Sequence, residues 1–202
     1  RDVTLYASDD SSDEVSKKIQ ATGVISIFDP VLCELSYTWF SPEGGVVLDP
    51  FAGGSVRGIV SALLGRKYYG NDISETQVLE NRKQWASIGN DDYPAPTWTI
   101  GDSRTSLPDI EADLVFSCPP YFDLEVYSDD PADVSSMDWD SFRDAYKDII
   151  KKSCDKLKDN RFAVFVVGEV RMKRPGYYRG FVQETIEAFT SAGLEYYNEA
   201  IL

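Results

Sequence analysis

Histidine is missing from all 202 residues. That absence removes Ser-His-Asp and Cys-His nucleophilic machinery and most zinc sites. Cysteine is sparse: Cys33, Cys118 and Cys154 stand too far apart for a metal-ligand spacing. They read as free thiols of a reducing compartment, so a cytoplasmic setting without metal is expected. No apolar run approaches the roughly 18 residues a membrane helix needs, and there is no signal-peptide pattern. Basic residues are few. Lys and Arg number 20 against 34 Asp and Glu, a net charge of -14. Such a chain is a poor partner for a polyanion, because phosphate contacts need Lys and Arg. Residues 105–142 hold neither, while Asp123, Glu125, Asp129, Asp130, Asp133, Asp138 and Asp140 crowd that stretch. The first residue is Arg and the last stretch, Glu195–Leu202, stops while still apolar. The expectation is a piece of a longer protein.

What is present is ordinary for a soluble globular chain, with 43% apolar and 27% charged residues. Residues 1–22 read as a polar lead-in with a short helix near 11–20, and 23–202 as one domain. "FDPVLCELSYTWF" (28–40) suits a helix started by Asp29-Pro30. Strand and helix signals then alternate. Strands are expected at 46–51, 67–73, 97–102, 112–118, 161–170 and 194–202. Helices are expected at 55–65, 74–89, 139–157 and 180–193. Ser74 with Gln77 forms a capping-box pattern at the second of these. Alternation of this kind predicts a mostly parallel sheet with helices on both faces. Ligands in such sheets bind at the carboxyl ends of the strands. Asp49, Asp72, Asp102 and Cys118 each close a strand.

In "VLDPFAGGSVRG" a strand runs into a glycine turn and then a helix. Gly53 and Gly54 let the backbone approach a ligand. The turn lacks the G-x-G-x-x-G spacing of dinucleotide sites and the G-K-[ST] of a phosphate loop, and a plain tight turn would look the same. Asp72 in "YYGNDIS" stands where an acid accepts from a ribose diol. Asp102 in "IGDS" ends the third strand and suits an adenine amino group. "FSCPPYF" (116–122) ends an apolar strand with two prolines, which remove ladder donors.

"VLDPFAGGS", "GNDIS", "IGDS" and "SCPPYF", in that order, resemble the S-adenosylmethionine-dependent amino methyltransferases of DNA, which methylate cytosine N4 or adenine N6. The family pattern is Asp-Pro-Phe-x-Gly-Ser-Gly followed by [Asp/Asn/Ser]-Pro-Pro-[Tyr/Phe/Trp]. The likeness covers about residues 24–202. Gly-Gly-Ser stands at 53–55 for Gly-Ser-Gly, and Cys118 stands at the Asp/Asn/Ser position. The resemblance implies a Rossmann-like class I methyltransferase fold, lacking its last strand or strands. It implies S-adenosylmethionine as cofactor, bound by Asp49, Pro50, Phe51, Ala52, Gly53, Gly54 and Ser55, with Asp72 at the ribose and Ile73 on the adenine. Asp102 and Ser103 would meet the adenine amino group. Phe28, Asp29 and Pro30 resemble the segment near the cofactor's carboxylate end. DNA with a flipped-out base is the implied partner, with target recognition supplied by a further domain or partner. The setting would be DNA modification in a bacterium or phage, restriction–modification included.

An exocyclic amino group is a poor nucleophile, because its lone pair is delocalised into the ring. A site that accepts both of its N–H groups can turn that lone pair toward a methyl donor, by position and polarity alone. The corner Cys118, Pro119, Pro120 and Tyr121 would be that site: a rigid backbone carbonyl at Pro119, a side chain at 118 and a flat face at Tyr121. Substrate contacts are expected from Tyr121 and Phe122, and from "RMKRPGYYRG", where Arg171, Lys173, Arg174 and Arg179 interleave with Tyr177 and Tyr178. That stretch reads equally as a solvated basic loop. Three alternatives stand beside this. The same chemistry can serve RNA or another amino or amide nitrogen. Cys118 can be the nucleophile of a cytosine-C5 methyltransferase with Glu169 as its acid, although those enzymes place Pro before Cys. The domain can also bind cofactor as a non-catalytic interaction module.

Overall fold

The computed structural model describes residues 28–122, 127–128, 130–172 and 176–201. The expected lead-in helix near 11–20 lies outside the described residues, as do Lys173 and Arg174.

The alternating signals fold as a five-stranded parallel sheet: β1 (Val46–Asp49), β2 (Lys67–Asp72), β3 (Thr97–Ile100), β4 (Ala112–Ser117) and β5 (Leu157–Phe165). The spatial order is β3-β2-β1-β4-β5, with every pairing parallel. Helices α1 (Pro30–Phe40), α2 (Val56–Leu63), α3 (Glu75–Ile88), α4 (Trp139–Cys154) and α5 (Phe181–Ser191) complete the chain. The architecture is the Rossmann-like one expected from the sequence.

Each strand sends alternate side chains to opposite faces. Val47, Tyr68, Trp98, Leu114 and Phe116 meet Cys33 and Tyr37 of α1 and Val78 of α3 on one face. Leu48, Ala112 and Val115 form a small cluster with Phe165 on the other face. The larger core there is Phe142, Tyr146, Ile149 and Ile150 of α4 with Phe181 and Ala188 of α5. Strand β4, covered on both faces, is buried from end to end, its polar Asp113 and Ser117 included.

Element ends follow local chemistry. Asp29 caps α1 by accepting from the Val31 N–H at 2.8 Å, and Pro30 is its first residue. Gly65 closes α2 in the left-handed region at φ 77. Ser74 caps α3 through the Gln77 N–H at 3.2 Å, but the Gln77 amide turns to Asn81 instead, so the capping box is one-sided. β5 begins at Leu157, earlier than expected. Its register against β4 jumps from Ala112↔Leu157 to Leu114↔Phe162, which loops out the polar Lys158–Arg161 stretch. The strand expected at 194–202 is not formed among the described residues. Tyr196, Tyr197 and Ile201 there are exposed, and only Tyr197 reaches β5, its ring 5.2 Å from Phe162.

Candidate active site

β1 and β4 are neighbours in the sheet but distant in sequence, so the chain leaves them in opposite directions. A crevice opens above such a pair of carboxyl ends. β1 runs into the glycine turn, 50–55, and β4 into the proline corner, 118–121.

The turn is held from several sides. Ser103 Oγ donates to the Pro50 carbonyl at 2.6 Å, and the Ala52 N–H to the Asn71 carbonyl at 3.0 Å. The Arg57 guanidinium donates to the carbonyls of Phe51 (2.6 Å) and Ala52 (3.0 Å). The Gly53 N–H donates to Asp72 Oδ2 at 2.7 Å, and the Asn81 amide to the Gly53 carbonyl at 2.7 Å. Gly53 needs its glycine because φ is 49°. Gly54 is different: a Cβ there would find no atom of the described residues within 4 Å beyond its chain neighbours. Crowding by the protein does not explain that glycine, and its side is open for a ligand.

Asp72 adjoins the turn through the Gly53 N–H and is partly exposed. Its Oδ1 accepts from the Ser74 N–H at 2.8 Å, and each oxygen keeps a further lone pair. Burial raises its pKa, against the lowering effect of those two N–H groups. Ile73 beside it is half-buried.

Other expected cofactor residues turn inward. Asp49 is fully buried and its oxygens accept from Arg57, Tyr68, Ser117 and Phe51, so its carboxylate does not reach the crevice. Ala52 and Pro50 are buried, Ser55 bonds Gln84, and Ser103 is spent on Pro50. Phe51 points to the α4 side, 6.1 Å from the Tyr146 ring. Asp102 is ion-paired with Arg104 at 2.7 Å. Burial works against its charge, but the Arg104 side chain and N–H outweigh that and lower its pKa. Asp29 and Pro30 serve α1. Phe28 packs on the core beside Phe116, and the Arg57 guanidinium lies 4.8 Å from its ring centroid.

At the corner, Pro119 is buried while Cys118, Pro120 and Tyr121 are half-buried. The Tyr121 hydroxyl hydrogen-bonds Cys118, and its pKa is pushed up to about 12 by burial first and Cys118 second. Its ring stands edge-on to Phe181 at 6.3 Å, and a Cβ at Gly168 would touch it at 3.5 Å. Phe122, expected to meet substrate, is instead core. It is 6% exposed, with Trp139 at 5.0 Å and Phe142 at 5.3 Å. The described ends of "RMKRPGYYRG" form a hairpin: Met172 N bonds the Tyr177 carbonyl and Arg179 N the Val170 carbonyl. Tyr177 and Tyr178 are exposed at 72% and 59%. Arg171 stacks on Tyr178, and Arg179 lies over Phe122 and Trp139. Glu169, the acid of the cytosine-C5 alternative, accepts from the N–H groups of Phe181 and Val182 and so caps α5.

Sequence reasoning passed over Arg57, Ser117, Asn71, Asn81 and Arg104. Arg57 had a readable signal, since an Arg inside the apolar run "VRGIVSALL" has to find a partner. Asn71 donates to the Gly101 carbonyl and Ser103, a cross-strand role that no local pattern marks.

No protein-family model matches the chain, and no curated protein matches it. Solved structures do. A TehB-like SAM-dependent methyltransferase from Corynebacterium glutamicum aligns with 92% of this chain and 82% of its own, at 17% identity and TM-score 0.53. A SAM-dependent O-methyltransferase from Thermotoga maritima aligns with 86% of this chain at 15% identity and TM-score 0.58. TrmN from Thermus thermophilus aligns with 81% at 16% identity and TM-score 0.54. The chain spans about half the length of the last two, 54% and 51%. At these identities the likeness is one of architecture: the chain has the fold of the SAM-dependent methyltransferases.

Proposed function

We propose that this chain uses S-adenosylmethionine to methylate an exocyclic amino group of a DNA base, cytosine N4 or adenine N6. The observation that carries the reading is the adjacency of the two turns. The glycine turn and the Cys-Pro-Pro-Tyr corner leave neighbouring parallel strands, tied at their roots by the Ser117–Asp49 bond of 2.5 Å. The residues fit the cofactor, since Gly54 faces open space and Asp72 keeps lone pairs for a diol. S-adenosylmethionine supplies an electrophilic methyl group. Gly53 and Gly54 give it room, Asp72 holds the ribose hydroxyls, and Ile73 flanks the adenine. Asp102 shares its carboxylate between Arg104 and the adenine amino group. The corner accepts the N–H groups of the target nitrogen at Pro119 and Cys118, and Tyr121 offers a flat face to the base. Tyr121 stays protonated at neutral pH, so it orients and does not act as a base. Arg171, Tyr177 and Tyr178 are exposed and would face the DNA, whereas Arg179 packs over Phe122 and Trp139.

The charge of -14 favours a second reading, the same chemistry on an amino or amide nitrogen of a molecule that is not a polyanion. One experiment separates the two. DNA, RNA and protein are incubated with labelled S-adenosylmethionine, digested and analysed by mass. N4-methylcytosine or N6-methyladenine from DNA is the expected product. Label in protein amide alone supports the second reading, 5-methylcytosine the Cys118 nucleophile, and no cofactor binding in calorimetry ends every methyltransferase reading.

A further inference from the structure

Asp49 is where the two turns are joined. Its Oδ2 pairs with Arg57 Nε at 2.6 Å and accepts from the Tyr68 hydroxyl at 2.7 Å. Its Oδ1 accepts from Ser117 Oγ at 2.5 Å and the Phe51 N–H at 3.2 Å. The pair is sealed: the side chains of Arg57 and Asp49 are 5% and 0% exposed. A buried ion pair is on average no better for stability than apolar residues of the same volume. Its value here is geometric. Phe51 and the carbonyls that Arg57 holds belong to the glycine turn, and Ser117 immediately precedes Cys118. One carboxylate thus ties the floor of the crevice to its opposite wall.

We propose that this Asp49-centred network sets the gap between the glycine turn and the proline corner, and that Ser117 and Arg57 are positioning residues for methyl transfer. The inference rests on the methyltransferase reading above. Transfer between two bound groups falls steeply with misplacement of about 1 Å. Ser117 ties only the corner, while Asp72, Asn81, Asn71 and Arg57 still hold the turn without it. Ser117→Ala should therefore lower kcat at least tenfold and leave the S-adenosylmethionine Kd within twofold by calorimetry. Ser117→Cys, with a weaker donor of similar size, should fall between it and the wild type, which keeps the test alive if the alanine variant does not fold. Arg57→Lys cannot reach all three acceptors, so it should weaken cofactor binding at least tenfold as well as slow turnover. Folded Ser117→Ala with kcat within twofold of wild type sinks this inference alone. Equal losses in kcat and in cofactor affinity would also sink it, marking Ser117 as a general prop. A wild-type protein that binds no cofactor, or binds it and methylates none of the acceptors, removes the underlying reading and this with it.

Discussion

Gly54 and Asp49 sit five residues apart in one motif and do opposite things. At Gly54 a Cβ would meet nothing among the described residues, while Asp49 has no lone pair left for anything outside its four donors. Gly54→Val is therefore expected to leave the unfolding midpoint nearly unchanged and to weaken S-adenosylmethionine binding at least tenfold by calorimetry. An unchanged Kd would show that the turn is not the cofactor bed. The aspartates have a local explanation as well. Asp29, Asp49, Asp72, Asp102, Asp130, Asp133 and Asp138 each accept from the backbone N–H two residues on. This Asx geometry turns the chain at strand ends and helix starts. Part of the acidic composition thus also serves turn chemistry. Cys33 and Cys154 are buried, and burial pushes both thiols up to about 12, so neither is a thiolate at neutral pH. Cys118 alone is half-buried.

Among the elements, α2 packs closely on the sheet at Gly58. A Cβ added at Gly58 would stand 2.5 Å from the Trp98 ring and 3.0 Å from Tyr68. Gly58→Ala has a better helix propensity but should destabilise the protein by about 1–3 kcal/mol through overpacking, read as a fall in urea midpoint at constant slope. A neutral or stabilising result would mean that Trp98 can move aside. The order and type of the helices and strands were legible in the sequence, because the apolar runs and the glycine, proline and aspartate punctuation are local signals. Two features were not. The early start of β5 depends on which residues Ala112 and Leu114 can pair with, and the stretch 194–201 forms no strand among the described residues despite its apolar pattern. Strand formation is settled by a partner, and a run of residues does not reveal whether one is there.

For the molecule as a whole, 34 acidic residues make stability depend on pH at the acid end. Asp113 pins the amino ends of three strands: it accepts from the Val46 N–H at 3.0 Å, Lys158 at 3.0 Å and Arg161 at 3.1 Å. Burial opposes its charge, but that N–H and the two cations outweigh it, so its folded pKa lies below the ordinary 3.8. A depressed carboxylate stabilises the fold above its unfolded pKa, and that contribution is lost as the pH falls through the folded value. Asp113→Asn should lower the urea midpoint at pH 7 more than at pH 3, narrowing the gap between them; an unchanged gap would remove Asp113 from the acid limb. The sequence by itself determined the alternating architecture and put the glycine turn after the first strand and Cys-Pro-Pro-Tyr after the fourth, because turn chemistry and hydrophobic periodicity are carried by near neighbours. Only the tertiary structure decided that Asp72 stays partly exposed beside the glycine turn while Asp49 is fully buried. Both end a strand with the same Asx turn; what separates them is Arg57, which reaches back to Asp49 from the next helix, and Ser117, 68 residues away in the chain, which meets Asp49 only once β1 and β4 lie side by side.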